Sequence, residues 1–132
     1  MFSLIIKPIF CDTDALGHIS NTIIPNWFES ARDPLFRYFS PDLDPQKWQL
    51  ILARYDIEFL AELHYGENVE IKTSLAKIGR SSIHVHQEVW QQNKCAVKGT
   101  TIMVHFDYQL RKSVPLPASI KEKLQEHLIT PN

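Results

Sequence analysis

Asp12 and Asp14 lie two residues apart in the string Cys11-Asp12-Thr13-Asp14-Ala15-Leu16-Gly17-His18-Ile19-Ser20-Asn21, between a short apolar run and a longer helix-patterned one. A carboxylate there can take a proton from water or attack an acyl carbon. It can equally close an Asx-turn at the positive end of the following helix. The two share a side, and titrate as a coupled pair, only if an extended strand runs through both. His18 can orient a carboxylate or a carbonyl, or merely cap the loop. Glu29 and Arg32, three apart, have the spacing of an intrahelical ion pair. Arg80, Ser81 and Ser82 can receive phosphates through a charge-assisted contact, hydroxyls and backbone N–H groups, or simply begin a strand. His84 and His86 share one strand face, but no third ligand accompanies them and neither His64 nor His105 has a fitting spacing, so no metal site is expected. Cys11 and Cys95 match no metal or redox spacing and have no paired histidine. Both are expected to be small buried apolar residues.

These groups need elements to position them. Residues 3–11 are short, apolar and rich in Ile and Phe, the pattern of a buried strand that ends at Asp12 with Gly17 turning the chain. From Ile24 the apolar positions Trp27, Phe28, Ala31, Leu35, Tyr38 and Phe39 form one wide helical face. Asn21 and Thr22 are candidate caps, and Pro25 suits a first turn. Pro34 removes the bond to the Ser30 carbonyl, which predicts a kink or a helix in two pieces. Strands follow over Trp48 to Leu60, and from Val69 through Leu75 with alternating wet and buried positions. The alternation slips at Ala76-Lys77-Ile78, a predicted bulge. Ile83 to Trp90 and Cys95 to Tyr108 form a hairpin about Gln91-Gln92-Asn93-Lys94. Ile120, Leu124 and Leu128 mark a terminal amphipathic helix. The order predicts an α+β fold, a curved antiparallel sheet wrapped around a long central helix.

Composition narrows the function classes. The 132 residues, 44% hydrophobic and 22% charged, suit one globular domain spanning 1–132 and exclude a disordered or collagen-like chain. Fourteen Lys and Arg against fifteen Asp and Glu predispose the surface neither to nucleic acid nor to an acidic membrane. No window approaches the ~18 apolar residues of a membrane span. The first residues lack a basic n-region, and Lys7-Pro8 breaks their apolar run, so a cytoplasmic protein with reduced thiols is expected.

The string from Cys11 to Asn21, followed by Trp27-Phe28-Glu29-Ser30-Ala31-Arg32, resembles the signature of the hotdog-fold acyl-CoA thioesterases, in the branch named for 4-hydroxybenzoyl-CoA thioesterase. Tyr65-Gly66-Glu67 and Ile78-Gly79-Arg80-Ser81-Ser82 also resemble family motifs, extending the likeness over residues from about 3 to 110. The resemblance implies hydrolysis of an acyl-CoA thioester with Asp14 as general base or nucleophile and a backbone N–H near Asn21 polarising the carbonyl. A thioester carbonyl is weakly resonance-stabilised and its thiolate leaves readily, so one carboxylate and one oxyanion donor suffice. It further implies His18 beside the site, CoA phosphates at Arg80, Ser81 and Ser82, CoA as part of the substrate rather than a cofactor, and a homodimer or homotetramer. A helix this apolar and an open sheet edge ask for a second copy on their own account.

The sequence departs from the family at Ile24, where a Tyr is frequent, at Pro25, where an aliphatic residue is common, and at Pro34, inside a helix usually unbroken. The first two changes bear on the acyl pocket rather than on the carboxylate. Hydratases and dehydratases of acyl thioesters share the fold, but their His followed by Pro-Gly-x-Pro is absent. A non-catalytic acyl-CoA or acyl-carrier binding module remains the non-enzymatic alternative.

Overall fold

The computed structural model describes residues 1–129. Its sheet is built from β1 (Phe2–Ile6), β2 (Leu50–Phe59), β3 (Val69–Ile78), β4 (Ser82–Gln91) and β5 (Lys94–Asp107), antiparallel throughout in the order β1-β3-β4-β5-β2. A short β6 (Lys112–Ser113) pairs with the end of β5. The curled sheet packs around α1 (Ile24–Ala31) and α2 (Asp33–Phe39), and α3 (Ala118–Gln125) closes one end.

β1 is shorter than its apolar run. Lys7 and Pro8 end the ladder, since proline has no N–H to give it, and the chain turns through a 3-10 segment at Phe10–Asp12. Cys11 sits on that turn and is exposed, and Cys95 is half-buried, so neither is the buried apolar residue expected. The central helix is in two pieces. α1 ends at Ala31, Arg32 N–H tightens back onto the Glu29 carbonyl at 3.0 Å, and α2 restarts with Pro34 in its first turn.

The predicted bulge is present, with β3 slipping register against β4 between Leu75 and Lys77. β2 carries another, between Leu52 and Arg54, that the sequence did not announce. The β4–β5 turn has Gln92 and Asn93 at φ 51° and 61°, the left-handed pair that a two-residue hairpin requires. Gly99 lets β5 pass under α1, because a Cβ there would lie 2.6 Å from the Asp56 carbonyl oxygen and 3.2 Å from the Phe28 ring.

The inward sheet face holds two apolar clusters. α1 supplies Trp27, Phe28 and Ala31 to the first, against Val69, Ile71, Val89 and Val97. α2 supplies Leu35, Phe36 and Phe39 to the second, against Leu75, Ile83, Val85 and Met103, with Leu124 of α3 fully buried among them. Leu128 falls beyond α3, where the chain runs back along β3 through a bond from Leu75 N–H to the His127 carbonyl. A polar row, Thr73, Gln87 and Thr101, crosses the face between the clusters, and all three are buried. Among the described residues no helix is long and apolar enough to cross a membrane.

Candidate active site

The loop from Thr13 to Ser20 folds back on itself. Asp14 N–H donates to the His18 carbonyl at 2.8 Å, and Ser20 N–H to the Asp12 carbonyl at 2.8 Å. Gly17, at φ 82°, makes the reversal that other residues would resist. The Asp14 side chain accepts the N–H groups of Leu16 at 2.8 Å and His18 at 3.1 Å. Both bonds fall on Oδ1, so backbone donors aim the carboxylate while Oδ2 has no protein donor among the described residues.

Asp12 is held quite differently. It is buried, and its Oδ2 accepts Ile9 N–H at 2.9 Å, which fastens the 3-10 turn. With the strand already ended at Ile6, no extended strand runs through Asp12 and Asp14 to set them on one side.

The His18 ring does not reach Asp14. Its Nε2 lies 3.2 Å from Glu62 Oε2, and its ring meets that of His64 edge-on at 5.6 Å. His18 therefore serves Asp14 through its backbone N–H. The chain then enters a 3-10 turn at Asn21–Ile23, to which Ser20 Oγ accepts from Thr22 N–H at 3.4 Å, and runs directly into α1. Ser20 is thus the cap, one residue before the expected candidates. The Asn21 N–H, first of this turn, makes no hydrogen bond among the described residues. A recess of about 400 Å³ opens here, with Asp14, His18 and Asn21 on its polar side and Ile24, Phe59 and Val97 among its apolar walls.

Arg80, Ser81 and Ser82 lie elsewhere in the chain. They form the β3–β4 turn, where Ser82 pairs with Val104, seven residues along β5 from the recess wall at Val97, or about 23 Å at 3.3 Å per residue. Within one chain this turn does not meet Asp14. Among the described residues no group of three or more His, Cys, Asp or Glu side chains is arranged to hold a metal ion. Burial raises the Cys95 pKa, and nearby Glu88 acts in the same direction, which disfavours the reactive thiolate.

Glu29 and Arg32 do not form the ion pair that their spacing allows. Arg32 turns inward to the polar row, its Nη1 donating to Gln87 Oε1 at 3.2 Å and Thr101 Oγ1 at 3.3 Å. Gln87 in turn donates to the Phe28 carbonyl at 2.9 Å and to Thr73 Oγ1 at 3.1 Å. Burial pulls the Arg32 pKa down from its ordinary value, partly countered by the charge of Glu29. Sequence reasoning missed this network. Its signal was present, as Thr73, Gln87 and Thr101 are polar residues at inward positions of alternating strands.

The sequence matches the thioesterase-like superfamily over residues 10–124. A predicted thioesterase from Bacillus stearothermophilus is 33% identical, with 99% of this chain and 98% of that one covered at a TM-score of 0.95. A Thermus thermophilus thioesterase complexed with coenzyme A and zinc is 27% identical over 94% of this chain and 97% of that one, at 0.84. A 1,4-dihydroxy-2-naphthoyl-CoA thioesterase from Synechocystis, 20% identical with 98% of each chain covered at 0.80, shares the fold. No curated protein matches the sequence. Matched along most of its length and superimposed almost end to end on the predicted thioesterase from Bacillus stearothermophilus, this hotdog-fold chain belongs to the thioesterase-like superfamily, and thioester hydrolysis is the activity its relatives support.

Proposed function

We propose that the chain hydrolyses acyl-CoA thioesters to the free acid and CoA, with Asp14 as the reacting carboxylate and the Asn21 N–H as the oxyanion donor. One observation carries the reading. A carboxylate aimed by two backbone N–H groups shares a partly apolar recess with the Asn21 N–H, which opens the 3-10 turn before α1 and has no partner among the described residues. A thioester whose oxygen takes that N–H would present its carbon to Asp14 Oδ2, the oxygen that the Leu16 and His18 N–H groups leave open. Two routes fit. As a base, Asp14 takes a proton from water while the water oxygen bonds to carbon, and the C–S bond then breaks with the thiolate leaving. As a nucleophile, Asp14 forms an anhydride as the thiolate leaves, and water then splits the anhydride. In either, the donor at Asn21 stabilises the negative oxygen as it develops.

The complete unit in this proposal is a homodimer, or a homotetramer built from two such dimers. β2 is a ten-residue edge strand with Leu52, Tyr55 and Phe59 exposed, a surface that natural sheets cover or pair. A second copy paired antiparallel along β2 would set its Leu50 end beside the Phe59 end of the first. Leu50 pairs with His105, whose N–H bonds the Ser81 carbonyl, so the second copy would bring Arg80, Ser81 and Ser82 toward the recess. Those residues are proposed to receive the CoA phosphates there. The neighbour complexed with coenzyme A supports CoA as the thiol half of the substrate.

The test is a panel of acyl-CoAs from acetyl to long-chain and aromatic, read by thiol release. Release with at least one acyl class is expected. A flat panel accompanied by tight CoA binding would contradict the proposal in favour of a binding module.

A further inference from the structure

Arg32 is 4% exposed, yet among the described residues no carboxylate lies within ion-pair distance of it. Its two hydrogen bonds go to neutral oxygens through one nitrogen, and its buried Nε has no partner among the described residues. A guanidinium removed from water in this way lacks the anion that normally accompanies it. It also does not lie in a closed core. The residue lines two recesses, of about 280 and 450 Å³, that open on the flank of α1 facing β2 and share Glu29, Arg32 and Leu52.

These recesses continue the line of the Asp14 recess. Along β2 the walls run from Phe59 at the Asp14 end through Ile57 and Tyr55 to Leu52 and Leu50. Along the helix they run from Ile24 through Phe28 to Arg32, about 12 Å at 1.5 Å per residue. The three recesses therefore follow one partly apolar line between α1 and β2, with Asp14 at one end and a guanidinium that has no carboxylate partner among the described residues at the other. Glu29 and Asp33 border the outer recess, but both face solvent and neither bonds the guanidinium.

We propose that Arg32 docks a carboxylate at the far end of the acyl group, which makes the preferred substrates of this site ω-carboxyacyl thioesters. The inference rests on the thioesterase reading and specifies its acyl half. A planar fork with an unused donor suits a carboxylate, and a neutral chain end would leave that donor as it is now, unmatched. Ile24 and Pro25 stand at the start of the track.

The test compares an ω-carboxyacyl-CoA with its own methyl ester, which keeps length and shape and removes the charge. The wild type is expected to prefer the acid by roughly 10–100-fold in kcat/KM, the range of a hydrogen bond to a charged group. Arg32→Gln should erase that ratio, Arg32→Lys should keep part of it, and Glu29→Gln should leave it standing. Equal losses on acid and ester in Arg32→Gln, or the same loss in Glu29→Gln, would overturn the proposal; the latter would assign the guanidinium to a glutamate of this or a second copy. Should Arg32→Gln not fold, inhibition of the wild type decides: a free dicarboxylic acid must compete better than its monomethyl ester, and equal competition overturns the inference. Should no acyl-CoA be hydrolysed, the thioesterase reading falls by itself. Calorimetry of the wild type with the dicarboxylic acid then decides the Arg32 site, binding supporting it and no binding overturning it.

Discussion

In the loop that leads toward α1 a carboxylate, Asp14, lies at the surface and is aimed by the backbone N–H groups of Leu16 and His18. At the end of α1 a guanidinium, Arg32, is buried and held by side-chain oxygens of Gln87 and Thr101 on the sheet. The first arrangement is local, made within five residues, and leaves one oxygen open to a substrate. The second ties α1 to β4 and β5 through residues 55 and 69 positions away in the chain. A group held by its own loop can be changed with little harm to the fold. A group held by a buried network cannot, because each partner removed leaves another polar group stranded.

Gln87→Ala presses hardest on that contrast. It removes the acceptor of Arg32 and the donor to both the Phe28 carbonyl and Thr73, all of them buried, and should lower unfolding free energy by about 2–4 kcal/mol. Urea denaturation measures it, and a loss under about 1 kcal/mol would erase the distinction between the two ends. Asp12→Asn comes next. The amide oxygen can still accept Ile9 N–H but without charge, so a loss of about 0.5–1.5 kcal/mol is expected, with turnover reduced less than by any change of Asp14. A drop in turnover equal to that of Asp14→Asn would make Asp12 part of the reacting pair.

The smallest effect is a pH slope far from either end. Burial, with Phe2 stacked on it at 4.0 Å, lowers the His127 pKa below the ordinary 6.5. The folded state therefore favours the neutral ring. The resulting stability is present above pH 6.5 and is lost as pH falls through the depressed folded value. Melting temperatures between pH 7 and 5 should fall more steeply for the wild type than for His127→Gln, and parallel curves would contradict the assignment.

Much of the fold was legible because its signals are local. The helical face from Ile24, the break at Pro34 and the bulge after Leu75 follow from the periodicity and chemistry of neighbouring residues, and the structure has all three. β1 was overextended because apolarity alone does not tell a strand from the turn at Phe10–Asp12, although Pro8 marked the boundary. The loop around Asp14 was readable as a motif, while the way backbone donors aim it was not. The i, i+3 spacing of Glu29 and Arg32 allowed an ion pair, because spacing says which side chains can meet. It does not say that a buried glutamine and threonine from distant strands will compete for the same guanidinium.

The central claim is that Asp14 reacts. Asp14→Asn keeps an oxygen to accept the Leu16 and His18 N–H bonds, so the loop should hold its shape and melting should be near that of the wild type. The amide can neither take a proton nor attack the carbonyl carbon. Single-turnover hydrolysis of the best acyl-CoA, measured with substrate affinity on the same folded preparation, should fall by at least ~10²-fold while affinity changes little. A folded Asp14→Asn protein that hydrolyses at close to the wild-type rate would contradict the account.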